Sequence, residues 1–152
     1  MPIQPAPIVE RDANTTRIRV QSGSIELTSS RGVVLAKYRG RLTGACAARY
    51  IEALERVVGR GPIETFNDAR DLVGYEPDFR VQLVDFLRSK QDAIPRTHVL
   101  ASGKIVAMTV SVVSLLLGRD RVEAYNDPVA FEGAMTAYRQ RRAMLDGRED
   151  CG

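Results

Sequence analysis

Residues 32–67, GVVLAKYRGRLTGACAARYIEALERVVGRGPIETFN, change their hydrophobic period twice, and the fold class follows from those two changes. Gly32–Tyr38 is a compact apolar, partly β-branched run of the kind that forms a strand. Ala47, Tyr50, Ile51, Leu54, Val57 and Val58 then recur at spacings of three and four, which places them on one face of a helix. Thr43 stands where that helix needs an N-cap, and Gly59 and Gly61 stand where it must end. Pro62–Asn67, with Ile63 and Phe66, reads as a second strand that stops at Asp68. A strand, an amphipathic helix and another strand in close succession form the crossover unit of a sheet covered by helices.

The same alternation continues toward the C-terminus. A polar loop is expected over Asp68–Pro77, and Pro77 then suits the first turn of a helix whose stripe is Phe79, Leu83, Phe86 and Leu87. That helix fades before Pro95, and Thr97–Ala101 is the next strand. Ile105–Leu117 is weakly polar throughout. Its length and the shared face of Val106, Val110, Val113 and Leu117 make it a helix rather than a strand. Arg121–Ala124 is a last strand, and Asp127-Pro128 opens a final helix with Phe131, Met135 and Tyr138 on its inner face. Toward the N-terminus, Ser24–Ser29 is a strand joined to the next by a turn at residues 29–32, and Thr16–Gln21 could add an edge strand. The reading divides the chain into an arm or edge strand (1–23), one α/β domain (24–145) and a polar tail (146–152). Its sheet is expected to be mostly parallel or mixed, with four or five strands and about four helices.

Composition agrees with one soluble domain: 152 residues, 44% apolar and 27% charged. Charge is uneven. Residues 1–60 carry ten Lys or Arg against five Asp or Glu, and the remainder twelve against fourteen. Arg31, Lys37, Arg39, Arg41, Arg49, Arg56 and Arg60 could therefore form a positive patch for an acidic partner or an anionic membrane surface. They lack the interleaved aromatics of a nucleic-acid site, so nucleic acid is a disfavoured partner. Cys46 and Cys151 make neither a disulfide framework nor a zinc quartet, and the first twenty residues contain no apolar signal region. A cytoplasmic protein is the expectation.

Three phrases, GVVLAKYRGRLTGACAARYIEALERV at 32–57, ETFNDARDLVGYEPDFR at 64–80 and VEAYNDPVAFEGAMTAY at 122–138, resemble the STAS-like superfamily of small SpoIIAA-like and SEC14-like domains. The resemblance covers roughly residues 24–140 and implies a bacterial, regulatory protein-binding scaffold. In its phosphorylation-controlled members a Ser or Thr follows an Asp where a helix starts after the central strand. The position that looks equivalent here reads Asp68-Ala69-Arg70-Asp71, and alanine cannot accept phosphate.

Candidate site residues fall in two groups. Asp68, Arg70, Asp71 and Tyr75 form a charged, aromatic edge beside a strand end, a common place for α/β sites. Val106, Val110, Val113 and Leu117 lie on a helix apolar enough to face a partner or a second copy of the chain. His98 is the only histidine; a pair with Cys46 is conceivable, as is a simple strand-end hydrogen bond. Ser102-Gly103-Lys104 resembles a phosphate nest without the full nucleotide-binding pattern, and the sequence indicates no cofactor or metal. The expected function is a non-enzymatic protein-interaction domain, with a lipid or apolar-ligand carrier, or a small hydrolase or transferase at Asp68–Asp71, as alternatives.

Overall fold

In the computed structural model, which describes residues 5–59 and 61–150, the chain forms one seven-stranded mixed sheet and four helices. The elements are β1 (Ile8–Arg11), β2 (Thr15–Val20), β3 (Gly23–Ser30), β4 (Val33–Leu42), α1 (Gly44–Val58), β5 (Glu64–Tyr75), α2 (Pro77–Ser89), β6 (Arg96–Ala101), α3 (Lys104–Leu117), β7 (Val122–Tyr125) and α4 (Pro128–Asp150). The strands lie in chain order across the sheet, antiparallel from β1 to β4 and parallel from β4 to β7. Seven strands replace the expected four or five because the N-terminal segment contributes two hydrogen-bonded strands. The segment read as an edge is β2, and β1 covers its outer side.

This strand order decides where everything else goes. Successive right-handed crossovers that always advance in one direction leave their helices on one face of the sheet. Accordingly α1, α2 and α3 share a large core with Val34, Ala36 and Tyr38 of β4 and Ala69 of β5. The alternate residues Val33, Phe66 and Leu100 turn the other way and pack under Phe131 and Met135 of α4. Because the order never reverses, the sheet has no switch point between strands, the crevice in which open α/β sheets usually bind ligands.

Helix α1 starts as its sequence indicates, with the Thr43 hydroxyl accepting from the Cys46 amide at 3.3 Å. Helix α2 begins at Pro77, but the carboxylate of its preceding residue Glu76 accepts from the Gly44 amide (2.9 Å) at the start of α1. The two helix starts meet so closely that a Cβ on Gly44 would lie 2.2 Å from Asp78 Oδ2. The polar residues after Leu145 continue α4, which runs to Asp150. Arg60 and Cys151 lie outside the described residues.

Beyond α4 the sheet face is open, and its charges alternate in register. Glu10, Arg17, Glu26, Lys37 and Asp68 are successive cross-strand partners from β1 to β5. Opposite charges facing across strands contribute about 0.2–1 kcal/mol each. The basic bias of the first sixty residues therefore does not collect into one patch: Arg17 pairs with Glu26, Arg19 with Glu10, and Arg49 with Glu52.

Candidate functional site

Strand β5 does not stop at Asp68. It continues to Tyr75, and Asp68, Arg70 and Asp71 therefore lie in a strand rather than in a loop. One extra β5 residue is accommodated against β4 between the pairs Lys37↔Asp68 and Arg39↔Asp71, and such bulges re-aim side chains. At this bulge Arg70 folds back on Asp68, with Nε to Oδ1 at 3.0 Å, Nη2 to Oδ2 at 2.8 Å and its backbone N–H to Oδ1 at 3.2 Å. The Arg70 hydrogen bonds hold the Asp68 carboxyl below the usual carboxylate range. A carboxylate stabilised in this way is a poor proton acceptor near neutrality, so the geometry does not favour acid–base chemistry at Asp68. Asp71 is exposed, 3.9 Å from Arg39 Nε. Ala69 is buried inside the strand at 4% exposure and does not stand at a helix start; the residues at the start of α2 are Glu76, Pro77 and Asp78.

Tyr75 is half-buried rather than displayed at the surface. Its hydroxyl is hydrogen-bonded to that of Thr109 on α3, and its ring lies 6.1 Å from Phe79 on α2. It thereby closes one end of a cavity of about 110 Å³ between the sheet, α2 and α3. The walls are Leu83, Val84 and Leu87 of α2 and Val106, Val110 and Val113 of α3, over a floor of Ala69, Leu72 and Val99.

The inner end of the cavity is polar. Asn67 Oδ1 accepts from Tyr38 Oη (2.5 Å) and Tyr50 Oη (3.3 Å), while its Nδ2 donates to the His98 carbonyl (3.1 Å) and the Thr65 hydroxyl (3.4 Å). Thr65 and Thr97 hydroxyls meet at 3.2 Å. Burial pushes the Tyr50 phenol up to about 12 and raises that of Tyr38 as well, so both remain neutral donors. The sequence reading missed this cluster. Its signal was present as Thr65 and Asn67 alternating with Phe66 in an otherwise buried central strand.

Helix α3 corrects the expected partner face. Val106 and Leu117 are each only 7% exposed, and Val110 and Val113 pack against the same core. These four side chains face the cavity and the sheet, whereas the opposite side of the helix exposes Met108 (68%), Val112, Leu115 (70%) and Leu116. The helical period was read correctly. Its orientation was not legible, because both faces are apolar and only the position of β6 and β7 distinguishes inside from outside.

The remaining candidates are occupied. His98 lies under α4, stacked on Phe66 at 4.1 Å, with Nε2 2.7 Å from Glu64 Oε2 and Nδ1 2.9 Å from Tyr125 Oη. Cys46 belongs to the core on the other side of the sheet, so the two do not pair, and burial raises its thiol to about 11. Ser102, at the supposed nest, donates its hydroxyl to the Arg70 carbonyl at 3.0 Å and ties the start of α3 to β5.

Solved structures superpose on this fold. An uncharacterised protein of the DUF3478 family from Shewanella loihica, described as having a SpoIIAA-like fold, superposes with a TM-score of 0.58 at 14% identity, covering 76% of this chain and 94% of the other. The chain has a SpoIIAA-like fold. An anti-sigma factor antagonist from Mycobacterium paratuberculosis matches with a TM-score of 0.55 at 15% identity, over 74% of this chain and 93% of its own. The anti-sigma factor antagonist SpoIIAA in its unphosphorylated form matches at 0.56 and 12%, over 76% and 97%. No protein-family model and no curated protein sequence matches the chain. The SpoIIAA-like resemblance read from residues 24–140 is thus seen in the folded chain, within a sheet wider than expected. No described helix is long and apolar enough to cross a membrane.

Proposed function

We propose that the protein is a non-catalytic regulatory module that docks a protein partner on the outer face of α3. The observation that carries this reading is the exposure of Met108, Val112, Leu115 and Leu116 on a helix with no charged side chain from residue 105 to 117. A solvated helix normally places charges on its outer face, whereas interface cores are depleted of charge and enriched in Met and large apolar groups. Two structures that share the fold are anti-sigma factor antagonists, a name that specifies a protein partner, and this supports the reading by analogy of fold. The Asp68–Tyr75 edge adjoins the same helix through the Tyr75–Thr109 contact and would form the rim.

The test is quantitative capture from the source-cell lysate with the native chain and with a Met108→Asp, Leu115→Asp double variant. Both side chains point outward, so the variant keeps its fold. A partner enriched by the native chain and lost with the variant supports the proposal, and identical capture by both refutes it. Self-association in sedimentation experiments, abolished by the same variant, would make the partner a second copy of the chain.

A second reading rests on the cavity beneath α3. Dry apolar cavities of about 150 Å³ accept a ligand the size of benzene, so the 110 Å³ found here suits a small apolar group. A longer chain would enter only if α3 moved outward and the Tyr75–Thr109 bond opened. Native mass spectrometry of the purified protein checks this: a bound apolar molecule released by Ala69→Phe supports carriage, and an unliganded mass with no uptake of added fatty acid opposes it.

A further inference from the structure

At the end of the sheet away from that cavity, a recess of about 250 Å³ lies between the β3–β4 turn, the segment leading into β5, and α4. Its polar lining is Asn14, Ser29, Ser30, Arg31 and Arg142, and no Asp or Glu lines it among the described residues. Five arginines elsewhere, Arg17, Arg19, Arg39, Arg49 and Arg70, each have a carboxylate within 4 Å. Here two arginines, Arg31 and Arg142, line one concavity with no carboxylate among its described lining residues. We propose that this recess binds the phosphoryl group of a small soluble molecule.

Three features of the residues support that assignment. Arg142 Nε is buried and has no hydrogen-bond partner. A buried donor left unmade is costly, and one attached to a charged group more so, which an entering oxyanion would relieve. The guanidinium also rests directly on the turn: a Cβ on Gly32 would lie 2.8 Å from Nε. Finally, Arg31 holds φ at +44° and Gly32 follows at +80°, the two left-handed positions of a tight hairpin turn. Gly, Asn or Asp ordinarily fills the first of these positions. Arginine there accepts a sterically unfavourable backbone and adds a second cationic residue to the lining.

The chemistry of the set fits a tetrahedral oxyanion. Guanidinium forks bind phosphate oxygens in pairs, and Ser29, Ser30 and the Asn14 carboxamide add neutral donors for the remaining oxygens. A recess walled by Pro62 and Ile63 admits a terminal phosphoryl group better than it meets a flat bilayer. The proposal is independent of the α3 surface, since none of its residues lies on α2 or α3.

The experiment titrates inorganic phosphate into the full chain at constant ionic strength set with chloride, following amide shifts by two-dimensional NMR. Saturable shifts confined to Asn14, Ser29–Gly32 and Gly61 are expected. Arg142→Gln and Arg31→Gly should each weaken binding by roughly tenfold or more, as for loss of one charge-assisted hydrogen bond. Arg49→Gln, on α1, should bind as the native chain does. Arg31→Gly guards against misfolding, because glycine takes the +44° backbone without strain and the variant should melt no lower than the native chain. Unsaturable shifts, or unchanged phosphate binding in folded Arg31→Gly, would overturn the proposal. Association with anionic phospholipid vesicles without any response to free phosphate would also overturn it.

Discussion

Replacing Asn67 by alanine tests whether the polar end of the cavity holds the two helical layers and the central strands in one arrangement. Asn67 is nearly fully buried, and its two shorter bonds run from Tyr38 Oη and to the His98 carbonyl. Each is worth about 1.5 kcal/mol when its partner is left buried and unpaired, and the longer contacts to Tyr50 and Thr65 add little. The expected loss is about 3 kcal/mol, which for a chain of this length lowers the melting temperature by roughly 6–12 °C. Urea unfolding followed by circular dichroism measures it. Tyr38→Phe provides the internal check. Alone it should cost about 1.5 kcal/mol, but in the Asn67→Ala background it removes a hydroxyl that has already lost its Asn67 partner and should cost clearly less. Asn67→Asp adds a pH test. Burial and the facing His98 carbonyl disfavour the ionised form, raising its folded pKa above the unfolded value near 3.9. Its deficit should therefore be largest at neutral pH and shrink as pH falls through the raised value. A loss below about 1 kcal/mol for Asn67→Ala, or an equal cost of Tyr38→Phe in both backgrounds, would refute the network as a structural unit.

Further outcomes follow from the same geometry. Gly44→Ala puts a methyl 2.2 Å from the position of Asp78 Oδ2, so the exposed Asp78 side chain must turn away and give up its bond from Gln82; urea unfolding should show a loss of about 1 kcal/mol, absent in an Asp78→Ala background. Val106→Asp should unfold or strongly destabilise the chain, whereas Leu115→Asp should change its stability by less than about 0.5 kcal/mol, because one side chain is buried and the other exposed. The Asp68 carboxyl, held low by Arg70, adds stability above the unfolded carboxylate value, and that contribution is lost as pH falls through the folded value. Arg70→Gln should thus flatten the acid side of the stability curve below the unfolded carboxylate value. In a Cys151→Ser background, Cys46 should resist iodoacetamide at pH 8 and react fully in denaturant, as mass spectrometry will show.

Much of the architecture was written locally. The period of residues 47–58, the Thr43 cap, Pro77 and the Asp127-Pro128 helix start depend on neighbours within one or two turns, and a sequence displays those directly. The helices consequently fall where they were read. Strand ends were less legible: Asp68-Ala69-Arg70-Asp71 looks like a loop because its charges are dense. In the sheet those charges find partners, Arg70 on Asp68 and Arg39 opposite Asp71, and β5 runs on to Tyr75.

What only the tertiary structure decided is which side of each element faces which neighbour. Sequence determined that α3 is a helix and that it is apolar; the sheet determined that Val106 and Leu117 are interior and Met108 and Leu115 exterior. The same holds for the basic N-terminal half. Its charges are countable in the sequence, yet their meaning depends on cross-strand register, which sets Arg17 against Glu26 and leaves Arg31 and Arg142, far apart in sequence, beside one recess. The physical reason is range: capping and periodicity act over a few residues along the chain, whereas burial, register and charge pairing are properties of segments brought together only when the sheet closes its strand order.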